Sequence, residues 1–330
     1  MNLFELTRRL IEIESPTENE KELGTFLHAY LSSLNYKVSL QEAAPGRFNV
    51  LALAGTPELI FSTHMDTVPP FIPFREDQDY LYGRGACDAK GILAAQIEAA
   101  EILRAEGENR FGLLFVVGEE RNSTGAIFAN RTPAGARFLI NGEPTENKLA
   151  AGSKGALRVE MITRGISAHS AYPEMGISAV TKLLDLLVEL RSMKFASDPV
   201  FGETMCNIGI IEGGIKANVI PDFARSEIMF RCVEPVANLR SRLDALIAGR
   251  GEIHYLFEAP AIKLNVMDGF ETTIVAFTSD VPSLSNWGRP YMAGPGSILD
   301  AHSDHERISK KQLAEGVDMY VRLAKRLLSE

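Results

Sequence analysis

The spacing of hydrophobic positions along the first 150 residues alternates between a helical and an extended pattern. Apolar residues recur every three or four positions in residues 4–13 and 91–105, and this spacing predicts helices. Short apolar runs between and after them have the length and composition of strands. The predicted strands cover residues 37–41, 49–54, 59–63, 111–117 and 136–140. This alternation is typical of an α/β fold with a mostly parallel, doubly wound sheet and helices on both faces.

A second helix is predicted to begin directly after the first. Ser15 has the side chain of an N-cap, and Pro16 suits the first helical position. Glu18 has the spacing of a capping-box partner for Ser15. We therefore expect this helix to start at Ser15 and to run to about Leu34.

The hydrophobic pattern changes near residue 152 and returns near residue 259. Between these points it predicts strand, helix, strand, strand, helix and strand, which is the order of a ferredoxin-like α+β domain. The predicted elements cover residues 156–163, 178–190, 205–211, 225–233, 238–248 and 253–258. A strand near 273–277 and a terminal helix from Ser309 follow. We therefore expect one α/β domain formed by residues 1–152 and 259–330, with an inserted domain at 153–258.

Composition and charge narrow the functional classes. The 330 residues are 45% hydrophobic and 23% charged, as in a soluble globular protein, and no apolar run reaches the ~20 residues that span a bilayer. The net charge is −9 and basic residues are scattered, which disfavours nucleic acid as a partner. Three cysteines without CxxC spacing, and a start that lacks the pattern of a signal peptide, predict a cytoplasmic location and no membrane partner.

Two carboxylates follow the most apolar predicted strand. Glu119 and Glu120 stand just after residues 111–117, where two anions at the end of a buried strand are costly unless something compensates them. They could be solvated, bonded to backbone N–H groups, or neutralised by a metal cation. Because the side chains of adjacent residues diverge, one could bind metal while the other handles a proton.

Histidine and carboxylate side chains also follow other predicted strands of this sheet. His64 and Asp66 follow one strand, Glu143 follows another, and Asp88 lies in a glycine-rich segment just before a helix. His302, near the C-terminus, adds a further imidazole. Ligands of open α/β sheets gather outside the carboxyl ends of the strands. Each motif alone is weak evidence, but their conjunction at successive strand ends predicts a metal site.

The donor types and their number indicate the kind of metal site. Imidazole and carboxylate donors without cysteine spacing suit zinc, with cobalt or manganese as alternatives. Five candidate ligands exceed the four of one tetrahedral site and suggest two ions, ~3.5–4 Å apart, with a bridging carboxylate and a water between them. Such a pair lowers the pKa of the water and polarises a carbonyl, and a glutamate beside a ligand glutamate can accept the proton. The candidates are His64, Asp88, Glu120, Glu143 and His302.

A series of short motifs runs in order through essentially the whole chain. The motifs are Ser62–Pro69, Gly83–Gly91, Gly118–Glu120, Gly142–Thr145, Lys154–Gly155, Gly165–Pro173, Gly213–Asp222, Gly294–Gly296 and Ala301–Glu306. Together they resemble those of the di-zinc aminoacylase/carboxypeptidase family of metallopeptidases. This family includes acetylornithine deacetylase, succinyl-diaminopimelate desuccinylase and bacterial glutamate carboxypeptidase.

The resemblance implies a role for each residue of the predicted site. Glu119 would be the general base that deprotonates the water between the metals and returns the proton to the leaving amine, and Asp66 would orient His64. His305 is an alternative ligand to His302, which we prefer because an Ala-His pair four residues before Glu306 is similar to the family pattern. The implied ligands are His64 and Glu143 for one ion, Glu120 and His302 for the other, and Asp88 as the bridge.

Further residues are implied to contact the substrate. By resemblance, His169 of the inserted domain reaches across a dimer and stabilises the oxyanion of the tetrahedral intermediate, and Asn218 contacts the substrate. Arg231 would clamp a substrate carboxylate, and backbone N–H groups of Gly294 and Gly296 could bind the same group. Without the resemblance, His169 could be a surface-loop residue and Arg231 could form a structural salt bridge.

The activity implied by the resemblance is hydrolysis of an amide bond with two Zn²⁺ ions. Our first interpretation is an acetylornithine-deacetylase-like enzyme of amino-acid metabolism that cleaves a small N-acyl amino acid. The alternatives are dipeptidase or carboxypeptidase activity on a short peptide, and succinyl-diaminopimelate desuccinylase-like activity. The family also implies a homodimer formed through the inserted domain.

Two other functional classes are disfavoured by particular residues. A nucleotide-binding protein could use the glycine-rich residues 83–91, but the phosphate-loop pattern needs Gly-Lys-Ser/Thr, and the chain has Lys90, Gly91 and Ile92 in that order. A non-catalytic, metal-binding member of the family would have no need of a general base. The presence of Glu119 argues against that class.

Overall fold

The computed structural model describes residues 1–330 and divides them into two compact units. The first unit comprises Met1–Ala151, Leu264–Thr273 and Ser279–Glu330, and the second comprises Gly152–Lys263 and Ile274–Thr278. The division differs from the predicted boundaries because Ile274–Thr278 pairs with the second unit, where the N–H of Lys154 donates to the carbonyl oxygen of Val275 at 3.0 Å. None of the helices combines the length and the hydrophobicity that a membrane span requires.

Seven α-helices and twenty strands make up the regular structure. The helices are α1 (Leu3–Glu12), α2 (Lys21–Ser33), α3 (Lys90–Ala105), α4 (Thr124–Ala129), α5 (Ala179–Ser192), α6 (Val236–Ile247) and α7 (Lys310–Leu328). The strands are β1 (Lys37–Ala44), β2 (Arg47–Leu53), β3 (Leu59–His64), β4 (Arg75–Glu76), β5 (Tyr80–Tyr82), β6 (Phe111–Val116), β7 (Phe138–Asn141), β8 (Leu149–Ser153), β9 (Gly155–Arg164), β10 (Ala168–His169), β11 (Ser197–Asp198), β12 (Gly202–Glu203), β13 (Met205–Gly213), β14 (Val219–Ile220), β15 (Phe223–Cys232), β16 (Glu252–Ala259), β17 (Ile262–Lys263), β18 (Thr272–Val275), β19 (Arg289–Met292) and β20 (Arg307–Ser309).

The first unit is built on a six-stranded sheet with the order β1-β2-β6-β3-β7-β19. Strands β6, β3, β7 and β19 run parallel, and β1 and β2 add an antiparallel edge. β3, β6 and β7 are buried along their whole length, as their apolar composition predicts for a sheet covered on both faces. The predicted mostly parallel α/β sheet is therefore confirmed.

The two faces of this sheet contribute to separate hydrophobic cores. Phe61, Phe115 and Ile140 share one core with residues of α1, α2, α3 and α7. On the opposite face, Ile60 packs in a smaller core that contains Trp287. Fully burying one such large side chain stabilises the fold by ~1.5–3 kcal/mol. Because β3, β6 and β7 are parallel, their carboxyl ends lie at one edge, and the residues that follow them converge there.

The second unit contains a four-stranded antiparallel sheet with the order β13-β15-β9-β16. Along the chain these strands and two helices follow the order β9, α5, β13, β15, α6 and β16. α5 and α6 share a core with the sheet. The predicted ferredoxin-like domain is therefore confirmed. β13 lies at one edge of the sheet.

The predicted start of α2 at Ser15 is wrong, because the helix begins at Lys21. The preceding segment runs instead beside Thr67. The N–H of Thr67 donates to the carbonyl oxygen of Ser15 at 3.0 Å, and the N–H of Thr17 donates to the carbonyl oxygen of Thr67 at 3.2 Å. The hydroxyl of Ser15 donates to the carbonyl oxygen of Met65 at 2.8 Å. The serine thus anchors the chain to the residues that follow β3.

Candidate metal centre

Strands β3 and β7 bring two predicted ligands to the same edge of the sheet. β3 ends at His64, and its parallel register pairs Ser62 with Asn141, the last residue of β7. Glu143 follows Asn141 by two residues, so its side chain reaches the same edge. His64 and Glu143 are both buried.

Asp88 lies at the centre of the candidate site. Its Oδ1 is 3.0 Å from Nε2 of His64, and its Oδ2 is 3.4 Å from Nε2 of His302. The same nitrogen of His302 is 3.0 Å from Oε1 of Glu120. By these distances, each carboxylate oxygen of Asp88 faces a different imidazole. Asp88 is joined by a cis peptide bond to Ala89, the residue before α3.

Two groups of potential metal ligands share Asp88. Within each group the candidate ligand atoms lie within 4.8 Å of one another. The groups are His64, Asp88 and Glu143, and Asp88, Glu120 and His302. The structure thus brings together all five predicted ligands, in the arrangement that the resemblance implies. The alternative residue His305 is exposed and belongs to neither group.

Asp66 binds the backbone that carries the two adjacent glutamates. Its Oδ1 accepts the N–H groups of Gly118 and Glu119, each at 3.0 Å, and its Oδ2 accepts the N–H of Glu120 at 3.2 Å. His64 donates from Nδ1 to the carbonyl oxygen of Asp66 at 2.9 Å and lies 3.6 Å from Oδ1. Asp66 therefore contacts His64, as expected, and also fixes the strand end that holds both glutamates.

The buried carboxylates of the site lack enough cationic partners within the protein. Burial raises the pKa of Glu119 and of Glu143 well above the usual value. Burial alone would lower the pKa of His64, but hydrogen bonds to Asp66 and Asp88 hold it well above its usual value. Oε1 of Glu143 is buried without a hydrogen-bond partner, which is costly for a carboxylate and fits a cation ligand. Nitrogen and oxygen donors without thiolate suit Zn²⁺, Co²⁺ or Mn²⁺.

His302 is the most exposed member of the two ligand groups. Its side chain is 48% exposed, whereas those of Asp88 and Glu120 are 7% exposed. Hydrogen bonds to Asp88 and Glu120 raise the pKa of His302 to about 10. Its φ of 59° lies in the left-handed region, which residues other than glycine seldom adopt. The group that contains His302 is therefore the solvent-facing side of the site.

Asp280 is a carboxylate near the site that sequence patterns did not single out. Its side chain is 1% exposed, and its Oδ1 has no hydrogen-bond partner within the protein. Burial raises the pKa of Asp280 to about 7. Its charge contributes to the raised pKa values of Glu119 and Glu143, after the effect of burial. The sequence feature that could have indicated Asp280 is its position three residues after the predicted strand 273–277.

The backbone N–H groups of Gly294 and Gly296 are already bonded within the protein, contrary to the prediction that they could bind a substrate. Gly294 donates to Oγ1 of Thr145 at 3.0 Å, and Gly296 donates to Oε1 of Gln312 at 3.3 Å. A Cβ at Gly294 would lie 2.6 Å from the carbonyl oxygen of Glu143, and Gly296 has a φ of 94°. The close approach of the Glu143 backbone therefore explains why residue 294 is a glycine, and the left-handed backbone conformation explains why residue 296 is one.

The other predicted contact residues lie in the second unit. His169 is exposed, and its Nδ1 accepts the N–H of Ala171 at 3.1 Å. Asn218 is exposed, and its carbonyl oxygen accepts the N–H of Ser170 at 3.1 Å. Arg231 is half-buried on β15, where burial lowers its pKa and no carboxylate opposes this effect. Its guanidinium therefore does not form the structural salt bridge considered as the alternative.

Comparisons with known proteins agree with this geometry. The profile described as Peptidase family M20/M25/M40 matches residues 60–326. A peptidase M20 domain-containing protein of Schizosaccharomyces pombe is 38% identical over 98% of this chain and 84% of its own length. An Aspergillus flavus protein named probable carboxypeptidase is 35% identical over 96% of this chain and 85% of its own length. A tripeptidase structure from Staphylococcus aureus has a TM-score of 0.84 at 21% identity, over 99% of this chain and 98% of that chain.

Fold and site together define a metal-dependent hydrolase, in which the carboxyl ends of parallel strands gather imidazole and carboxylate ligands. The chain belongs to the peptidase family M20/M25/M40, since the profile matches residues 60–326 and the Schizosaccharomyces pombe relative is aligned over 98% of the chain. The family resemblance and the enzyme class predicted from the motifs are confirmed. The likeness to the tripeptidase, at 21% identity, supports the fold alone.

Proposed function

We propose that the protein is a two-metal exopeptidase that removes an amino acid from the carboxyl end of a short peptide. The observation that carries the proposal is the pair of ligand groups that share Asp88, next to the unligated Glu119. The name of the Aspergillus flavus relative supports the carboxypeptidase alternative better than the acetylornithine-deacetylase-like activity that was our first interpretation. A small N-acyl amino acid therefore becomes the competing substrate class.

The ions are proposed to be two Zn²⁺, with Co²⁺ or Mn²⁺ as alternatives. His64 and Glu143 would hold one ion, Glu120 and His302 the other, and Asp88 would serve both. When bound, such ions lower the pKa of a water molecule and polarise the scissile carbonyl.

Glu119 is proposed to move the proton during peptide cleavage. Its carboxylate takes a proton from the attacking water and delivers it to the amide nitrogen, which leaves as the amine of the released amino acid. In the metal-free protein burial raises the pKa of Glu119, and the positive charge of bound ions would oppose this rise. Asp66 holds the N–H groups of Glu119 and Glu120, so the two neighbouring side chains keep their separate directions.

Arg231 is our candidate for binding the terminal carboxylate of the peptide. A half-buried guanidinium without a carboxylate partner in the protein is suited to a bidentate bond with a substrate carboxylate. We also propose that Asn218 contacts the substrate and that His169 stabilises the oxyanion. The family resemblance and the exposure of both side chains support these two roles.

A panel of matched substrates tests the proposed specificity. The zinc-loaded enzyme should release the last amino acid from N-blocked dipeptides and from tripeptides with a free carboxyl end. It should leave the corresponding C-terminal amides intact, because Arg231 would lack its anionic partner. Amino-acid release measured by chromatography distinguishes these substrates from N-acetyl and N-succinyl amino acids.

Two results of the panel would contradict the proposal. Cleavage confined to N-acetyl or N-succinyl amino acids would restore the deacetylase or desuccinylase interpretation. Equal cleavage of peptides and their C-terminal amides would show that the enzyme does not recognise the terminal carboxylate of the peptide. The variant Arg231→Met should lose selectivity between acid and amide, whereas Arg158→Met, an exposed arginine on β9, should keep it.

We propose that two copies of the chain associate through the second unit. β13 lies at a sheet edge, where N–H and C=O groups are free to pair with another strand. α5 exposes Leu184 and Val188, which are four residues apart and therefore share one helix face. An edge strand and an apolar helix stripe in one unit suit a self-complementary interface.

Charge introduced on α5 is expected to separate this dimer. The double variant Leu184→Glu/Val188→Glu should elute as a monomer in size-exclusion chromatography with light scattering, whereas the unchanged protein should elute as a dimer. Ile127→Glu, at a similarly exposed apolar position on α4, is the matched control and should remain dimeric. A monomeric unchanged protein would contradict the proposed interface.

A cytoplasmic location is also proposed. All three cysteines are free, and two of them, Cys87 and Cys232, are buried. The absence of disulfides suits a reducing compartment. Peptidase activity measured in fractionated cells tests this location.

A further inference from the structure

A buried ion pair joins the two segments that carry Asp88 and His302. Nη1 of Arg84 donates to Oε2 of Glu306 at 2.7 Å, and the two residues are 2% and 1% exposed. Arg84 precedes Asp88 by four residues, and Glu306 follows His302 by four residues. The pair therefore connects two ligand-bearing segments from distant parts of the chain.

Each member of the pair also binds the backbone of the opposite segment. Oε1 of Glu306 accepts the N–H groups of Cys87 and Asp88, each at 3.2 Å. Nη1 of Arg84 donates to the carbonyl oxygen of Ser303, the residue after the ligand histidine, at 3.3 Å. The ion pair and these backbone bonds form a closed link between the two segments.

The position of Asp88 is critical because its two oxygens serve different ligand groups. Oδ1 lies 3.0 Å from His64, and Oδ2 lies 3.4 Å from His302. A small rotation of the Asp88 backbone would move both oxygens at once. Productive metal sites need their ligands held within about 0.5 Å by surrounding bonds. Glu306 supplies such a bond directly at the N–H of Asp88.

We infer that Arg84 and Glu306 are positioning residues that set the affinity of the site for its metal ions by fixing Asp88 against His302. The inference rests on the proposed metal site. Glu306 is not itself a candidate ligand, because its two oxygens are engaged by Arg84 and by backbone N–H groups. A pair that served only the fold would affect stability and leave metal affinity unchanged.

The test measures Zn²⁺ affinity in folded variants, separately from activity. Metal-stripped protein is titrated with Zn²⁺ against a chromogenic chelator, and folding is checked by circular dichroism and thermal unfolding. Glu306→Gln and Arg84→Met should each weaken Zn²⁺ binding ~10–100-fold, the usual effect of removing a residue that orients a metal ligand. Arg84→Lys keeps the positive charge and should lose less. Excess Zn²⁺ should restore turnover in all three variants.

Arg104→Met is the matched control for the loss of a paired arginine. Arg104 bonds to Glu101 at 3.0 Å and donates to the carbonyl oxygen of Leu34 at 2.6 Å, so it makes the same kinds of bond as Arg84. It lies at the far end of α3, ~22 Å along the helix from the Asp88 end. This variant should lose stability and keep normal Zn²⁺ affinity.

Three outcomes would overturn the inference. Normal Zn²⁺ affinity in folded Glu306→Gln and Arg84→Met would show that the pair does not act on the metal site, and Glu306→Gln alone decides the question if Arg84→Met does not fold. An equal loss of affinity in Arg104→Met would assign the effect to general destabilisation. An unchanged protein that binds no divalent metal would overturn the proposed site and this inference together.

Discussion

Replacing Glu119 by glutamine is expected to lower kcat/KM on the best peptide substrate by ~10²–10⁴-fold, the usual contribution of a general base. Glutamine has nearly the same size but does not accept a proton from water near neutral pH. Glu119 belongs to neither ligand group, so both bound metal ions should remain. Steady-state kinetics and elemental analysis of the same preparation measure the two effects.

The same substitution is expected to stabilise the metal-free protein at neutral pH. Burial raises the folded-state pKa of Glu119 above the ordinary value of 4.5. A carboxyl with a raised folded-state pKa favours folding at low pH, and this stability is lost as the pH rises through that pKa. Glutamine does not ionise and avoids this loss. Thermal unfolding of chelator-treated protein should therefore give a higher Tm for Glu119→Gln at pH 7 and no difference near pH 4.

Glu146→Gln is the matched control, because Glu146 is an exposed glutamate paired with Lys148, near the candidate ligand Glu143 but outside both ligand groups. It should keep normal kcat/KM and metal content. Normal turnover in Glu119→Gln would remove Glu119 from the mechanism. Loss of metal from Glu119→Gln would instead make Glu119 a ligand and reopen the assignment of Glu120.

The sheet and three of the five candidate ligands could be predicted because local patterns determine their positions. Apolar runs of strand length indicate buried parallel strands, and the carboxyl ends of such strands meet at one edge. His64 ends one of these strands, and Glu120 and Glu143 closely follow two others, so their convergence follows from the topology. Asp88 and His302 lie in loops, and the family motifs assigned their roles before the structure showed them side by side.

Contacts between distant residues could not be read from the sequence. Ser15 has the local pattern of a helix cap, yet its hydroxyl bonds to the carbonyl oxygen of Met65. Glu306 resembled part of a loop motif, whereas its carboxylate holds the backbone of Asp88 from 218 positions away. Asp280 follows no buried strand of the central sheet, so strand-end reasoning did not find it. Tertiary hydrogen bonds determined each of these positions.

Asp88→Asn is expected to have the largest effect on metal content, because Asp88 is the only residue that both ligand groups share. Bound divalent metal should fall from two ions to less than one per chain, with activity at background. Asparagine offers one carbonyl oxygen and one amide nitrogen, so it could serve one group at most. Its neutral side chain also removes the negative charge that lies between His64 and His302.

Single substitutions of one ligand from each group test whether Asp88 serves both metal ions, whereas the other ligands serve one ion each. Glu143→Gln should weaken one ion and His302→Asn the other, so each variant should retain about one ion by elemental analysis. Zinc should raise the Tm of the unchanged protein, since an ion at 100 times its Kd adds ~2.7 kcal/mol of stability. Asp88→Asn should show almost no such rise. Two retained ions in Asp88→Asn would mean that Asp88 does not bridge them, and that the two ligand groups are independent sites.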